Sequence, residues 1–135
     1  MSTEIVIPST PSPFGKTLRM DLGTFDSSAD EYRVGFTPGK DLLTNLLRTV
    51  HGGALAGIFD EGSAMCIYFK YGINSAVTQQ LCVEYHNPVR PGLPLTLVAR
   101  IVKEEDSTII VEATIYSGSR LIASCISHWQ RRHLP

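Results

Sequence analysis

Apolar and polar positions along the chain fall into two regimes. Across residues 53–69 apolar side chains are nearly continuous, proline is absent, and the only charges before Lys70 are Asp60 and Glu61. This pattern predicts one helix, apolar enough to be buried on most sides. At about 100° per residue its side chains separate into two faces. Leu55, Ile58, Phe59, Met65, Cys66 and Phe69 form a wide stripe of large side chains suited to a core. Ala56, Gly57, Asp60, Ser63 and Ala64 form a face of small ones, where another backbone or a narrow ligand can approach, and Glu61 falls at the boundary.

The second regime is short-period. Residues 75–85, 95–103, 108–117 and 121–129 are rich in Val, Ile, Thr and Leu, with connections such as Pro88-Val89-Arg90-Pro91-Gly92 and Ser117-Gly118-Ser119. Long strands joined by short turns predict an antiparallel meander. Upstream, residues 18–25 and 31–36 read as two further strands around Asp26-Ser27-Ser28-Ala29-Asp30, and residues 41–47 as a short helical lead into the main helix. Gly72 is placed to cap that helix. The whole is an α+β domain in which an antiparallel sheet wraps one long central helix. Residues 1–13 carry Pro8, Pro11 and Pro13 without the basic start and apolar run of a signal peptide, so they read as a flexible leader before a single domain, residues 14–135.

Composition narrows the function classes. A formal net charge of −1 offers no basic surface for nucleic acid or an anionic membrane. No stretch is long and apolar enough to span a bilayer, and a cytoplasmic setting is expected. Cys66, Cys82 and Cys125 lack paired spacing and lie among apolar residues, which predicts reduced core thiols. His86, His128 and His133 have no metal-ligand spacing with Asp or Cys, and no metal or cofactor is expected. A Ser-centred nucleophile elbow and a phosphate-binding glycine loop are both missing.

Chemistry enters where the two faces of the helix begin. His51-Gly52-Gly53 stands at its start. First-turn N–H groups have no intrahelical partner, the helix dipole adds positive charge there, and glycines let a ligand come close. Such a turn can hold an oxyanion or a polarised carbonyl oxygen. His51 is expected to order the turn rather than act as a base. Asp60 follows nine residues later, on the small face. A carboxylate in apolar surroundings is costly unless hydrogen-bonded, so an acid there points to function more than to solubility.

His51-Gly52-Gly53, six further residues and then Asp60 resemble the signature of the hotdog-fold acyl-CoA thioesterases of the PaaI and THEM type. Asn45 matches an asparagine common in that family, and residues 76–88, ending Tyr85-His86-Asn87-Pro88, match its strand with a Tyr-x-x-Pro ending. The resemblance implies a hotdog fold and hydrolysis of an acyl-CoA thioester. It implies Asp60 as nucleophile or general base, a backbone N–H of Gly52 or Gly53 on the thioester oxygen, and Thr78 steadying the water. Asn45, His51, Glu61, Ser63, Ala64 and Gln80 then belong to the substrate-binding region, with the acyl group between the small helix face and the strand at 75–85. Two positions depart from the family pattern: Arg48 replaces a small residue, often glycine, and Gln80 replaces an acidic or small one. Both bear on substrate choice.

Distance adds a constraint. Gly53 and Asp60 lie about 10 Å apart along one helix axis at 1.5 Å per residue. A reacting pair must approach to about 3–3.5 Å. Two antiparallel copies of the helix bring one copy's turn to the other's acid, so the site is expected to need a homodimer. The resemblance agrees, and it extends to a dimer of dimers. The same constellation would serve a thioesterase or product-shaping enzyme acting on acyl or polyketide chains bound to a carrier protein. A hydratase would need a His–acid pair, for which His51 is the only nearby histidine, and a non-catalytic acyl-CoA sensor usually carries an output domain. Arg90, Arg120, Arg131 and Arg132 can meet the phosphates of coenzyme A or simply be solvated strand ends.

Overall fold

The computed structural model describes residues 5–40 and 44–132. The apolar run is a helix, α2 (Gly52–Tyr71). A five-residue helix, α1 (Pro13–Thr17), and six strands complete the domain: β1 (Thr24–Asp26), β2 (Glu31–Phe36), β3 (Ala76–Tyr85), β4 (Leu95–Glu104), β5 (Thr108–Ser117) and β6 (Arg120–Arg131). All strand pairs are antiparallel, in the order β1-β2-β4-β5-β6-β3.

β4, β5 and β6 form the expected meander, but β3 does not lead into it in space. β3 pairs with β6 at the far edge, so the chain crosses the sheet between β3 and β4. The simple meander is thereby corrected. Turn residues report where strands end, and not which strand lies beside which.

The apolar side of α2 lies on one face of the sheet. Ile58, Phe59, Cys66 and Ile67 are fully buried, as are Leu97, Ala99, Val111 and Ile115 of the strands. Each large side chain so placed contributes about 1.5–3 kcal/mol of hydrophobic stabilisation. Gly62 sets the approach: a Cβ there would stand 2.7 Å from Cδ2 of Leu97. Glycine inside a helix costs about 1 kcal/mol relative to alanine, and here it lets the helix sit directly against β4. Burial pushes the Cys66 and Cys125 thiols up to about 12. Cys82 departs from the core-thiol expectation, being exposed.

The end of α2 is fixed by Gly72, whose φ of 103° suits glycine and whose N–H donates to Tyr68 O. Lys70 Nζ reaches Asp30 Oδ2 at 2.7 Å and Glu104 Oε1 at 2.6 Å, tying the last turn to the sheet.

Two further expectations are corrected by local chemistry. Most of the strand expected over residues 18–25 is absent: Met20 makes an isolated bridge to Phe36, and regular pairing begins only at Thr24. Before it stands α1, where Ser12 Oγ accepts from Gly15 N–H and Pro13 occupies the first position, a helix start that the sequence spells out. Of the helical lead over residues 41–47, residues 41–43 lie outside the described residues and the remainder is a turn. Asn45 Oδ1 accepts from the N–H groups of Leu47 and Thr49, so a side chain takes the place of helical acceptors. The leader segment has defined contacts where described: Val6 O accepts from Ile73 N–H at 2.8 Å.

Candidate active site

The first turn of α2 is held from two directions. His51 is the N-cap, its Nδ1 accepting from Gly53 N–H at 2.8 Å, so its remaining proton sits on Nε2 when the ring is neutral. Across the turn, Tyr85 OH donates to Gly52 O at 2.7 Å. The Tyr85 ring would lie only 3.3 Å from a Cβ on Gly52, which glycine avoids. Gly53 N–H is therefore occupied, while Gly52 N–H has no hydrogen-bond partner among the described residues. Of the two glycines, Gly52 presents the free donor. Asn45 shapes the approach, its Nδ2 donating to Thr49 Oγ1 at 2.8 Å.

Two turns further along, Asp60 meets β3. Thr78 Oγ1 donates to Asp60 Oδ1 at 2.7 Å. A β-bulge makes this contact compatible with the core. Thr78 pairs with Trp129 and Gln80 with His128, leaving Gln79 as the extra residue. Side chains alternate along a strand, so the bulge shifts the alternation by one. Thr78 faces the helix before it, and Leu81, Val83 and Tyr85 face the helix after it. Gln80 is consequently turned to the opposite face, away from α2.

Asp60 and Thr78 stand at a cavity of about 660 Å³ whose walls include Ala64, Met65, Tyr68 and Val77. The N-terminal segment supplies the facing wall through Pro8–Pro13. Burial, followed by the charges of Glu61 and Asp60, pushes the Tyr68 phenol up, so it remains a neutral donor, its OH on Ala76 O at 3.3 Å.

The small face of the helix is thus divided. Gly57 receives Phe14, whose ring would be 2.8 Å from an added Cβ. Glu61 accepts from Ser12 Oγ at 2.5 Å. Both are covered by the chain's own N-terminal segment. Ser63 is fully buried, and its Oγ has no partner among the described residues. Asp60, Glu61 and Ala64 line the cavity, whereas Gly57 and Ser63 do not. The arginines also separate: Arg131 stacks over Tyr71 at 4.5 Å, whereas Arg90 and Arg120 share a different cleft with Arg48. Tyr85, Ser12 and the bulge escaped sequence reasoning. For Tyr85 the signal was present in the Tyr-x-x-Pro stretch, without its partner.

A sheet with one long helix on its face, a glycine turn at the helix start and an acid on its third turn define a class, and comparison with known proteins agrees. Residues 47–123, more than half the chain, match the family model of the thioesterase superfamily. The chain belongs to that superfamily. Among solved structures, conserved protein PA5202 of Pseudomonas aeruginosa has a TM-score of 0.81 at 21% identity, covering 93% of this chain and 100% of that one. The PaaI protein of the Escherichia coli phenylacetic acid degradation operon gives 0.80 at 19% identity, with 90% and 86% covered. Thioesterase superfamily member 2 of Mus musculus gives 0.72 at 21% identity, with 87% and 86% covered. These likenesses establish the hotdog fold. No curated protein matches the chain in sequence. No described helix is long and apolar enough to cross a membrane.

Proposed function

We propose that the protein hydrolyses acyl-CoA thioesters to the free acid and coenzyme A, at a site shared by two copies of the chain. The observation that carries this reading is the Thr78–Asp60 hydrogen bond in the wall of a largely apolar cavity, on a helix whose Gly52 N–H has no hydrogen-bond partner among the described residues. In this reading the thioester oxygen rests on Gly52 N–H of one copy. Asp60 of the other copy, with one oxygen held by Thr78, takes a proton from water through its second oxygen as the water attacks the carbonyl carbon. Charge gathering on the carbonyl oxygen is met by the helix N-terminus. The C–S bond then breaks and the proton passes to the departing thiolate. Direct attack by Asp60 through an anhydride needs the same ionised carboxylate. The acyl group occupies the apolar cavity.

Two features support a shared site. Gly52 and Asp60 sit too far apart along one helix to meet on one thioester, by the rise of about 1.5 Å per residue. β3 is also an edge strand of ten residues whose outer edge is unpaired among the described residues, a template for pairing with a second copy. A dimer of dimers in the cytoplasm completes the proposal.

The test is thiol release from a panel of acyl-CoA substrates, wild type beside Asp60→Asn, with sedimentation to give the oligomeric state. Wild type is expected to turn over and the variant to lose at least ~10²-fold, the usual worth of a general base, while keeping its circular dichroism. Equal activity in the variant overturns the role of Asp60. Silence across the panel overturns the acyl-CoA reading, and a fully active monomer overturns the shared site.

A further inference from the structure

The chain's own N-terminal segment bridges the cavity that holds Asp60, and it is fixed at both ends. At one end, Val6 O accepts from Ile73 N–H at 2.8 Å, just past the last turn of α2. At the other, Ser12 Oγ donates to Glu61 Oε1 at 2.5 Å, and Phe14 fills the space that Gly57 leaves. Between these points, residues 7–11 make no hydrogen bond to the rest of the domain among the described residues. Yet Pro8–Pro13 wall the cavity, and Pro8 is buried.

The lengths are those of a segment drawn tight. Along α2, the rise from Glu61 to Gly72 is about 16 Å at 1.5 Å per residue. The chain from Val6 to Ser12 reaches about 19 Å in the extended proline-type conformation. Pro8 and Pro11 fall within it and Pro13 follows, each fixing its own φ and none needing a partner for an N–H. A stiff chain tied at both ends with little slack keeps its place over open space. Beneath it, Asp60, Ala64 and Tyr68 line the cavity at successive turns of α2, and Ile73 and Asn74 line it past the helix end.

We propose that this strap sets the length of acyl chain the protein accepts, a proposal that rests on the thioesterase reading and deepens it. The acyl tail runs from Asp60 along α2 beneath Pro8–Pro13 and stops where Val6 is tied to Ile73. From Asp60 to Tyr68 the helix rises about 12 Å, which holds ~10 carbons at about 1.2 Å per bond of an extended chain. The substrates so selected are straight, medium-chain acyl thioesters. Glu61 is a positioning residue, keeping the strap down through Ser12.

The test is kcat/KM on straight-chain acyl-CoA thioesters shorter and longer than that limit, for wild type, Glu61→Gln, Glu61→Ala and Pro8→Gly/Pro11→Gly. Trp129, the chain's single tryptophan, lines the cavity, so quenching of its emission by brominated fatty acids reports chain seating without catalysis. In wild type both readouts are expected to gain about fourfold per methylene up to the limit and nothing beyond it. Glu61→Ala and the double proline variant should carry the gain at least two methylenes further, roughly tenfold on those longer chains. Glu61→Gln keeps an acceptor for Ser12 and should hold the wild-type limit. A purely structural role would lower all chain lengths alike and leave the limit in place. An unmoved limit in the loosened variants, or a gain without limit in wild type, overturns the proposal while leaving the thioesterase reading standing. A shift in Glu61→Gln equal to that in Glu61→Ala overturns the role of the Ser12 contact. If wild type cleaves none of the thioesters, that reading fails, and the quenching profile alone then decides the strap. Should the double proline variant fail to fold, Glu61→Ala carries the test.

Discussion

On its sheet side, α2 sets Ile58, Phe59, Cys66 and Ile67 against the strands without exposure, and at Gly62 a single methyl group would overlap Leu97. On the other side it sets Asp60 and Ala64 against about 660 Å³ of open space, with Thr78 as the nearest polar contact. The first side is a volume-matched contact that fixes where the helix sits. The second uses that fixed position, since Asp60 meets Thr78 only while Gly62 keeps the helix pressed to β4. The difference teaches that precise positioning and open space are supplied by opposite faces of the same element. Substitutions on the sheet side should register in stability, and those on the cavity side in rate.

Phe59→Ala gives the largest effect. It removes a fully buried ring, and urea unfolding should show a loss of about 3–5 kcal/mol. A loss under about 1 kcal/mol would mean the sheet side is not tightly packed. Gly62→Ala comes next, with about 1–3 kcal/mol lost to overpacking against Leu97, even though alanine favours the helix by about 1 kcal/mol. A stabilised variant would break the claim that close approach set this glycine. The smallest stability effect belongs to Thr78→Val, expected within about 0.5 kcal/mol of wild type. Its thioester hydrolysis should fall roughly tenfold or more as Asp60 loses its hydrogen-bonded position. Unchanged kinetics there would separate Thr78 from the chemistry.

Local signals were legible in the sequence and global ones were not. The apolar run gave α2, and β-branched runs gave β4, β5 and β6, because each pattern lies within a few turns or pleats of its own element. The placement of β3 beside β6 depends on contacts across the whole sheet, which no window of residues contains. α1 was readable in Ser12-Pro13 but was masked by the proline-rich composition around it. Within the site, Asp60, Thr78 and the glycine turn came from a motif. The distinction between Gly52 and Gly53 required knowing where His51 Nδ1 points. Ser63 falls beside Asp60 by angular position, yet it is fully buried, which a count along one helix does not reveal. Gln80 illustrates a periodic count that fails for one physical reason, since counting by twos from Thr78 ignores the extra residue at Gln79.

That extra residue constrains how the protein can vary. Removing it would restore strict alternation through β3, and Thr78 could then face Asp60 only by turning Leu81, Val83 and Tyr85 outward. Keeping those three inward would turn Thr78 away. Substitutions along β3 can accumulate singly, but a change of length between Thr78 and Leu81 exchanges the Thr78–Asp60 contact for the core in one step. Descendants of this chain should therefore tolerate insertions and deletions in its loops while holding the residue count of this one edge strand constant.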